Sequence, residues 1–226
     1  SCVRLFSIPY FSPKETWYPS DDGFVNYSIT PYSFNDTCTT LRISDFPSPV
    51  RLSSPFEHVQ TLSLECNTED INRFVEIMSF SSVRHLKLRS FVQLVTFNDL
   101  LQRASNISQI TTRHKTLMHI ISSLPNDDRQ FEQITQLYVE DVIPNDDIDP
   151  ILQVFPKLEH VSLRVRERSI ALRILKTLKK LNSADIHWYQ PINTSSSKMD
   201  EYLKQNHICN DGTYFFHAST LRIWMN

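Results

Sequence analysis

One spacing of apolar residues recurs along the chain: an apolar position, two spacers, an apolar position, one spacer and an apolar position. Its clearest instance is FEHVQTLSLEC, residues 56–66, where the positions are Val59, Leu62 and Leu64. In chain order the register runs Cys38-Leu41-Ile43, Val59-Leu62-Leu64, Val83-Leu86-Leu88, and Ile107-Ile110 with polar Thr112 in the third place. Ile134-Leu137-Val139, Leu158-Val161-Leu163 and Leu181-Ala184-Ile186 complete it. Successive starts lie 21, 24, 24, 27, 24 and 23 residues apart. So narrow a range marks stacked supersecondary units, none of which can bury its apolar face alone. The alternation closing each triplet predicts a short strand, with Leu62 and Leu64 inward and Thr61, Ser63 and Glu65 outward.

Between the strands the apolar period lengthens to that of a helix. Residues 69–80 place Ile71, Phe74, Val75 and Met78 at helical spacing behind Thr68 as N-cap. Shorter helices are predicted over 97–104 and 116–124. A fourth covers 147–155, entered through an Asp cluster with Pro150 in its first turn. The strongest covers 168–181, with Ile170, Ile174, Leu175 and Leu178 on one face. The expected fold is therefore an α/β solenoid, a curved parallel sheet with helices on the convex side and irregular repeats of about 24 residues. The repeats occupy residues 37–190.

The flanks read differently. Residues 1–36 are aromatic and rich in proline, with strand-like pieces at 3–8 and 24–29, and are expected to cap the open end of the repeats. Residues 191–226 are the expected C-terminal cap: a helix over 198–205, a turn at Asp211-Gly212, and a strand over 219–225 with Leu221, Ile223 and Met225 on one face.

At this point VQTLSLEC, VRHLKLRS and LEHVSLRV look like degenerate leucine-rich repeats of the irregular kind found in F-box proteins. The opening FSIPYF…WYPSDD…YSITPYSFND and closing LNSADIHWYQP…LRIWMN are similar to the C-terminal repeat region of F-box-domain-containing proteins of the rotifer type. The resemblance implies a leucine-rich-repeat-like solenoid that selects target proteins for a cullin-RING ubiquitin ligase. In the family, a short helical module, the F-box, docks the ligase adaptor; it has no counterpart here, so adaptor contact would depend on an F-box outside this chain. The asparagine that such repeats place after the strand occurs only as Asn67, with Phe91, Lys115, Val142 and Arg166 at the equivalent places, which implies less regular turns.

Composition narrows the chemistry. The 226 residues suit one domain or two small ones, and a formal charge of -2 exerts no overall pull toward nucleic acid or an anionic membrane. Gly23 and Gly212 are the only glycines, which argues against a phosphate-cradling loop. No apolar run is long enough for a membrane span, and the start, which lacks Met, does not read as a signal peptide; the chain is expected to be a piece of a longer one. Cys2, Cys38, Cys66 and Cys209 are scattered, which favours free thiols and an intracellular setting, cytoplasmic or nuclear. The N-x-S/T triplets at Asn26, Asn35, Asn106 and Asn193 carry little weight, since such triplets recur by chance.

The eight histidines form no HExxH, and His114 and His119 share a helix face poorly, so no metal site is expected. The acidic stretch Asp141…Asp149 lacks the glycine and distal glutamate of a calcium loop and is expected to serve a helix N-terminus. No serine or cysteine stands in a nucleophile's local setting, so neither enzyme activity nor a cofactor is expected.

Interest therefore falls on the outward strand positions, which in a stacked sheet form three columns. The first holds Thr40, Thr61, His85, Gln109, Gln136, His160 and Ser183; the second Arg42, Ser63, Lys87, Thr111, Tyr138, Ser162 and Asp185. The third holds Ser44, Glu65, Arg89, Arg113, Glu140, Arg164 and His187. Partner binding is expected at His85, Lys87, Arg89, Arg113, Tyr138 and Arg164, because Arg and Tyr combine large contact area with polar tips. The alternative is an ordinary solvated strand face. The expected partner is a target protein, met through an acidic segment. A scaffold independent of any ligase is the alternative, and nucleic acid is disfavoured by the near-neutral charge.

Overall fold

A computed structural model describes residues 40–43, 59–65, 80–90, 92–124, 131–189, 196–206, 214–217 and 219–224. The chain divides into two compact units, Ser1–Ile107 and Ser108–Asn226. Both contain strands and helices, and their strands are mostly parallel. No described helix is long and apolar enough to cross a membrane.

In the first unit, β1 (Thr40–Ile43), β2 (Thr61–Leu64) and β3 (His85–Leu88) pair in parallel, Thr40 facing Thr61 and Thr61 facing His85. Helix α1 (Leu94–Arg103) follows. The expected cap over 1–36 and the helix over 69–80 lie outside the described residues, apart from Phe80.

The second unit contains β4 (Gln109–Thr112), α2 (His114–Ser122), β5 (Gln136–Ile143), a 3-10 turn (Asn145–Asp147) and α3 (Ile148–Val154). Then come β6 (His160–Val165), α4 (Arg168–Thr177), β7 (Ser183–Trp188), α5 (Ser196–Gln205), β8 (Tyr214–His217) and β9 (Thr220–Trp224). Strands β4 to β7 are parallel neighbours in sequence order; β9 joins β7 antiparallel, and β8 joins β9 antiparallel at the end.

The apolar register explains these elements. Every residue of the triplets beginning at Val59, Val83, Ile107, Ile134, Leu158 and Leu181 is at most 4% exposed. Each fully buried aliphatic side chain stabilises by about 1.5–3 kcal/mol. Thr112 is as buried as the aliphatics around it, and its hydroxyl donates to the Arg113 carbonyl at 3.4 Å, so the polar third place is satisfied locally.

A fourth position lies three residues before the triplets that begin at Val83, Ile107, Ile134, Leu158 and Leu181: Phe80, Ala104, Phe131, Phe155 and Leu178 are all buried. At four of these five its carbonyl accepts the first triplet residue's N–H, as from Val83 to Phe80 at 3.0 Å and from Ile134 to Phe131 at 3.1 Å. One residue after the start of four triplets, the carbonyls of Gln60, Ser108, Thr135 and Glu159 each accept two successive amides at the start of the next strand. One acceptor gripping two donors holds successive strands in a single register.

Helices α1 to α4 have no side-chain N-cap hydrogen bond, so packing carries them. Their buried faces include Phe97 and Leu100 on α1, Leu117 and Ile120 on α2, Ile151 and Leu152 on α3, and Ile170 and Ile174 on α4. Helix α4 stops short of the expected 181. Leu178 turns extended, with φ -84 and ψ 95, because it must enter the tight turn that delivers Leu181 to the next strand. The expected strand near the end is β9, with Leu221 and Ile223 buried; its partner β8 is an additional strand.

Candidate binding surface on the open sheet face

Alternate strand residues leave one face of each sheet that no described helix covers. In the second unit the pairing extends the expected columns through the C-terminal strands. The first column becomes Gln109, Gln136, His160, Ser183 and Trp224. The second becomes Thr111, Tyr138, Ser162, Asp185, Arg222 and Phe215. An antiparallel strand keeps directly opposed residues on one face, so β9 and β8 add a cation and two large rings.

The third column differs from the expectation. Opposite Arg164 stands Val142, not Glu140, because β5 carries a register shift between Tyr138 and Val142. Val139 and Ile143 are both buried, and the acidic pair Glu140-Asp141 between them cannot enter the core. The strand therefore accommodates the extra residues as an irregularity. Beyond Val142 the column reads Arg164, His187, Thr220 and His217.

Contacts across the columns are specific. The Tyr138 and His160 rings lie 5.1 Å apart, and His160 Nδ1 shares a hydrogen bond of 2.6 Å with Ser183 Oγ. His187 Nδ1 shares one of 3.0 Å with Thr220 Oγ1. Arg222 donates from Nε to Asp185 Oδ1 at 2.7 Å and from Nη2 to Asp185 Oδ2 at 3.2 Å. Phe215 stacks on His217 at 6.2 Å. Phe215 is 56% exposed and Trp224 47%, high values for rings of that size.

These neighbours set the protonation states. Burial lowers the His160 and His187 pKa values, and the guanidinium of Arg222 pushes the same way on both, joined by Arg164 at His187; Asp185 opposes. Burial, then Asp185, raises the Tyr138 pKa. At pH 7 His160 and His187 thus favour the neutral imidazole and Tyr138 the neutral phenol, around the Arg222–Asp185 pair.

The six expected binding residues divide three and three between the units. His85 and Lys87 are partly exposed on β3, with Arg89 just beyond its end. Burial, with Lys87 adding to it, lowers the His85 pKa to about 4. Arg89 Nη1 donates to Glu65 Oε1 at 3.3 Å. In the second unit Arg113 is the N-cap residue of α2, exposed beyond β4. Tyr138 lies in the second column beside His160, and Arg164 in the third beside His187. The outward spacer Ser63 is buried: it sits on an inner strand opposite Lys87, and its small side chain is shaded there.

Sequence reasoning missed Arg222, Phe215 and Trp224. The alternation of Leu221 and Ile223 already implied that Arg222 and Trp224 point the other way. The run Tyr214-Phe215-Phe216 carries high strand propensity.

The acidic stretch serves structure. Asp146 and Asp147 lie in the 3-10 turn and Asp149 in the first turn of α3. His114 Nε2 and Asp147 Oδ2 are 2.8 Å apart, and Arg173 Nη1 donates to Asp149 Oδ2 at 3.0 Å. Among the described residues no group of three or more His, Cys, Asp or Glu could hold a metal ion. No protein-family model matches the chain, and no curated protein matches it either.

Proposed function

We propose that this chain is a protein-binding module, a leucine-rich-repeat-like solenoid whose open sheet face receives a target protein. The observation that carries the reading is the second unit's face, where exposed Phe215 and Trp224 stand beside Arg222, which Asp185 holds, with Tyr138 two strands beyond Asp185 in the same column. Tyr, Trp and Arg dominate binding hot spots because each offers broad contact with a polar tip.

The solenoid reading is supported by side-chain pairs that recur at the repeat period. Glu65–Arg89 and Asp149–Arg173 span 24 residues, Glu132–Lys157 spans 25 and His160–Ser183 spans 23, while the Asn106 side chain donates to the backbone carbonyl of Ser81, 25 residues away. In Glu65–Arg89, Asp149–Arg173 and His160–Ser183 the two residues stand at the same offset from the starts of successive triplets. The resemblance to F-box proteins makes the specific form of the proposal the target-selecting region of a cullin-RING ligase subunit, intracellular and without catalytic residues of its own.

The test is affinity capture from cell lysate with quantitative mass spectrometry, using native chain, a Tyr138→Ala/Trp224→Ala variant and a Lys87→Glu/Arg89→Glu/Arg113→Glu variant. Truncating a central aromatic costs about 2 kcal/mol, or roughly thirtyfold in affinity. The aromatic variant should lose the specific partners. A partner list unchanged in both variants would sink the open-face reading. Recovery of the ligase adaptor among the captured proteins would support the ligase form.

A further inference from the structure

Arg222 is an arginine aimed by the fold. Asp185 grips it side-on through Nε and Nη2. That grip uses two of the five guanidinium donors and fixes the plane, while 49% of the side chain stays exposed. The Nη1 edge is therefore available in a set orientation. Asp185 is only 19% exposed and is already answered by Arg222, so an incoming carboxylate does not meet an uncompensated anion.

The surrounding charges favour an anion. Arg222 and Asp185 cancel, and Arg164 is exposed with no carboxylate partner among the described residues. The imidazoles of His160 and His187 favour the neutral form at pH 7. The centre of the face thus carries about one net positive charge. Phe215 stands directly opposite Arg222 on β8, and Trp224 lies two residues along β9 on the same face.

We propose that this patch takes an extended acidic peptide segment in which an Asp or Glu carboxylate lies beside a large apolar side chain. The carboxylate meets the free edge of Arg222, and the apolar side chain seats on Phe215 or Trp224. The inference rests on the protein-binding reading and narrows it to a partner chemistry. A nucleic-acid strand is a poorer fit. It needs a track of cations, whereas here one arginine is free, one is paired, and an acid lies at the centre.

The experiment pans a phage-displayed random heptapeptide library against the full chain, native and Arg222→Gln. Synthetic versions of the enriched peptides are then titrated by fluorescence anisotropy. The enriched sequences should carry Asp or Glu next to an aromatic or large aliphatic residue. Converting that acid to its amide should weaken binding about tenfold or more, the range of a charge-assisted hydrogen bond. Arg222→Gln should weaken it as much and remove the penalty for the amide; Arg222→Lys should restore part of the affinity. Circular dichroism checks that the variants fold.

Any of four outcomes overturns the proposal: enrichment without acids, no enrichment by native chain, affinity unaffected by Arg222→Gln, or a salt-sensitive single-stranded RNA that outcompetes the peptides. Lysate capture that still depends on Tyr138 and Trp224 would then leave the broader protein-binding reading standing.

Discussion

The open faces of the two units carry similar residue types in different arrangements. In the first, Arg89 is answered by Glu65, and Lys87 stands near a His85 that stays neutral over the physiological range. In the second, Arg222 is held edge-on by Asp185, Arg164 is free among the described residues, and Phe215 and Trp224 are exposed beside them. Cations alone make a solvated strand face; an oriented cation between exposed rings makes a surface that gains by being covered. What each arginine faces therefore discriminates better than how many arginines a column holds.

The comparison requires the scaffolds to be equivalent where the faces differ. Phe80 and Phe155 occupy the same repeated position, one in each unit, at 2% and 0% exposure. Phe80→Ala and Phe155→Ala should each destabilise by about 3–5 kcal/mol, the cost of truncating a buried aromatic and leaving a cavity. Chemical denaturation of the two variants measures this. A loss below about 1 kcal/mol in one of them would mean that the repeated position is not core in that unit, and the comparison would fail at its base.

How much of this was legible in the sequence follows from which positions physics constrains twice. Val59, Leu62 and Leu64 must be apolar and must recur at a fixed spacing, so the strands and their inward faces could be read directly. The −3 position was harder, because Ala104 and Leu178 share a site with three phenylalanines and only the turn geometry reveals the equivalence. The shift in β5 was invisible: Val139 and Ile143 are both acceptable core residues, and only the pairing with β6 shows which one continues the register. The six candidate binding residues came from outward columns that end with the parallel strands. Arg222, Phe215 and Trp224 enter through an antiparallel return that the repeat pattern does not encode.

A middle-sized effect tests the first unit's face. His85 has its pKa lowered to about 4, from an ordinary value of 6.5, by burial and then by Lys87. Between those values the unfolded chain binds a proton that the folded chain refuses. The stability contribution is therefore complete above pH 6.5 and is lost as pH falls toward 4. His85 is partly exposed, so solvent screening reduces the contribution to on the order of 1 kcal/mol. Denaturation midpoints of native and His85→Gln chains at pH 7.0 and 4.5 should diverge in slope, the variant losing less on acidification. Parallel pH dependences would show that the imidazole is as solvated folded as unfolded.

The smallest effect sharpens the comparison most. The Glu65–Arg89 pair joins a largely buried carboxylate to a guanidinium 41% exposed, and such a pair is worth at most about 0.5 kcal/mol. Glu65→Gln should therefore leave the denaturation midpoint almost unchanged while removing one negative charge beside Arg89. If positive charge alone recruited acidic segments, this variant, made in an Arg222→Gln background, would recover binding of the acidic peptides. The expected recovery is less than about twofold, because charge at an exposed guanidinium is weak in water, whereas Asp185 holds Arg222 through two donors. Peptide anisotropy on the double variant decides it. Restored affinity would assign recognition to charge, and its absence would assign it to the oriented arginine and the rings beside it.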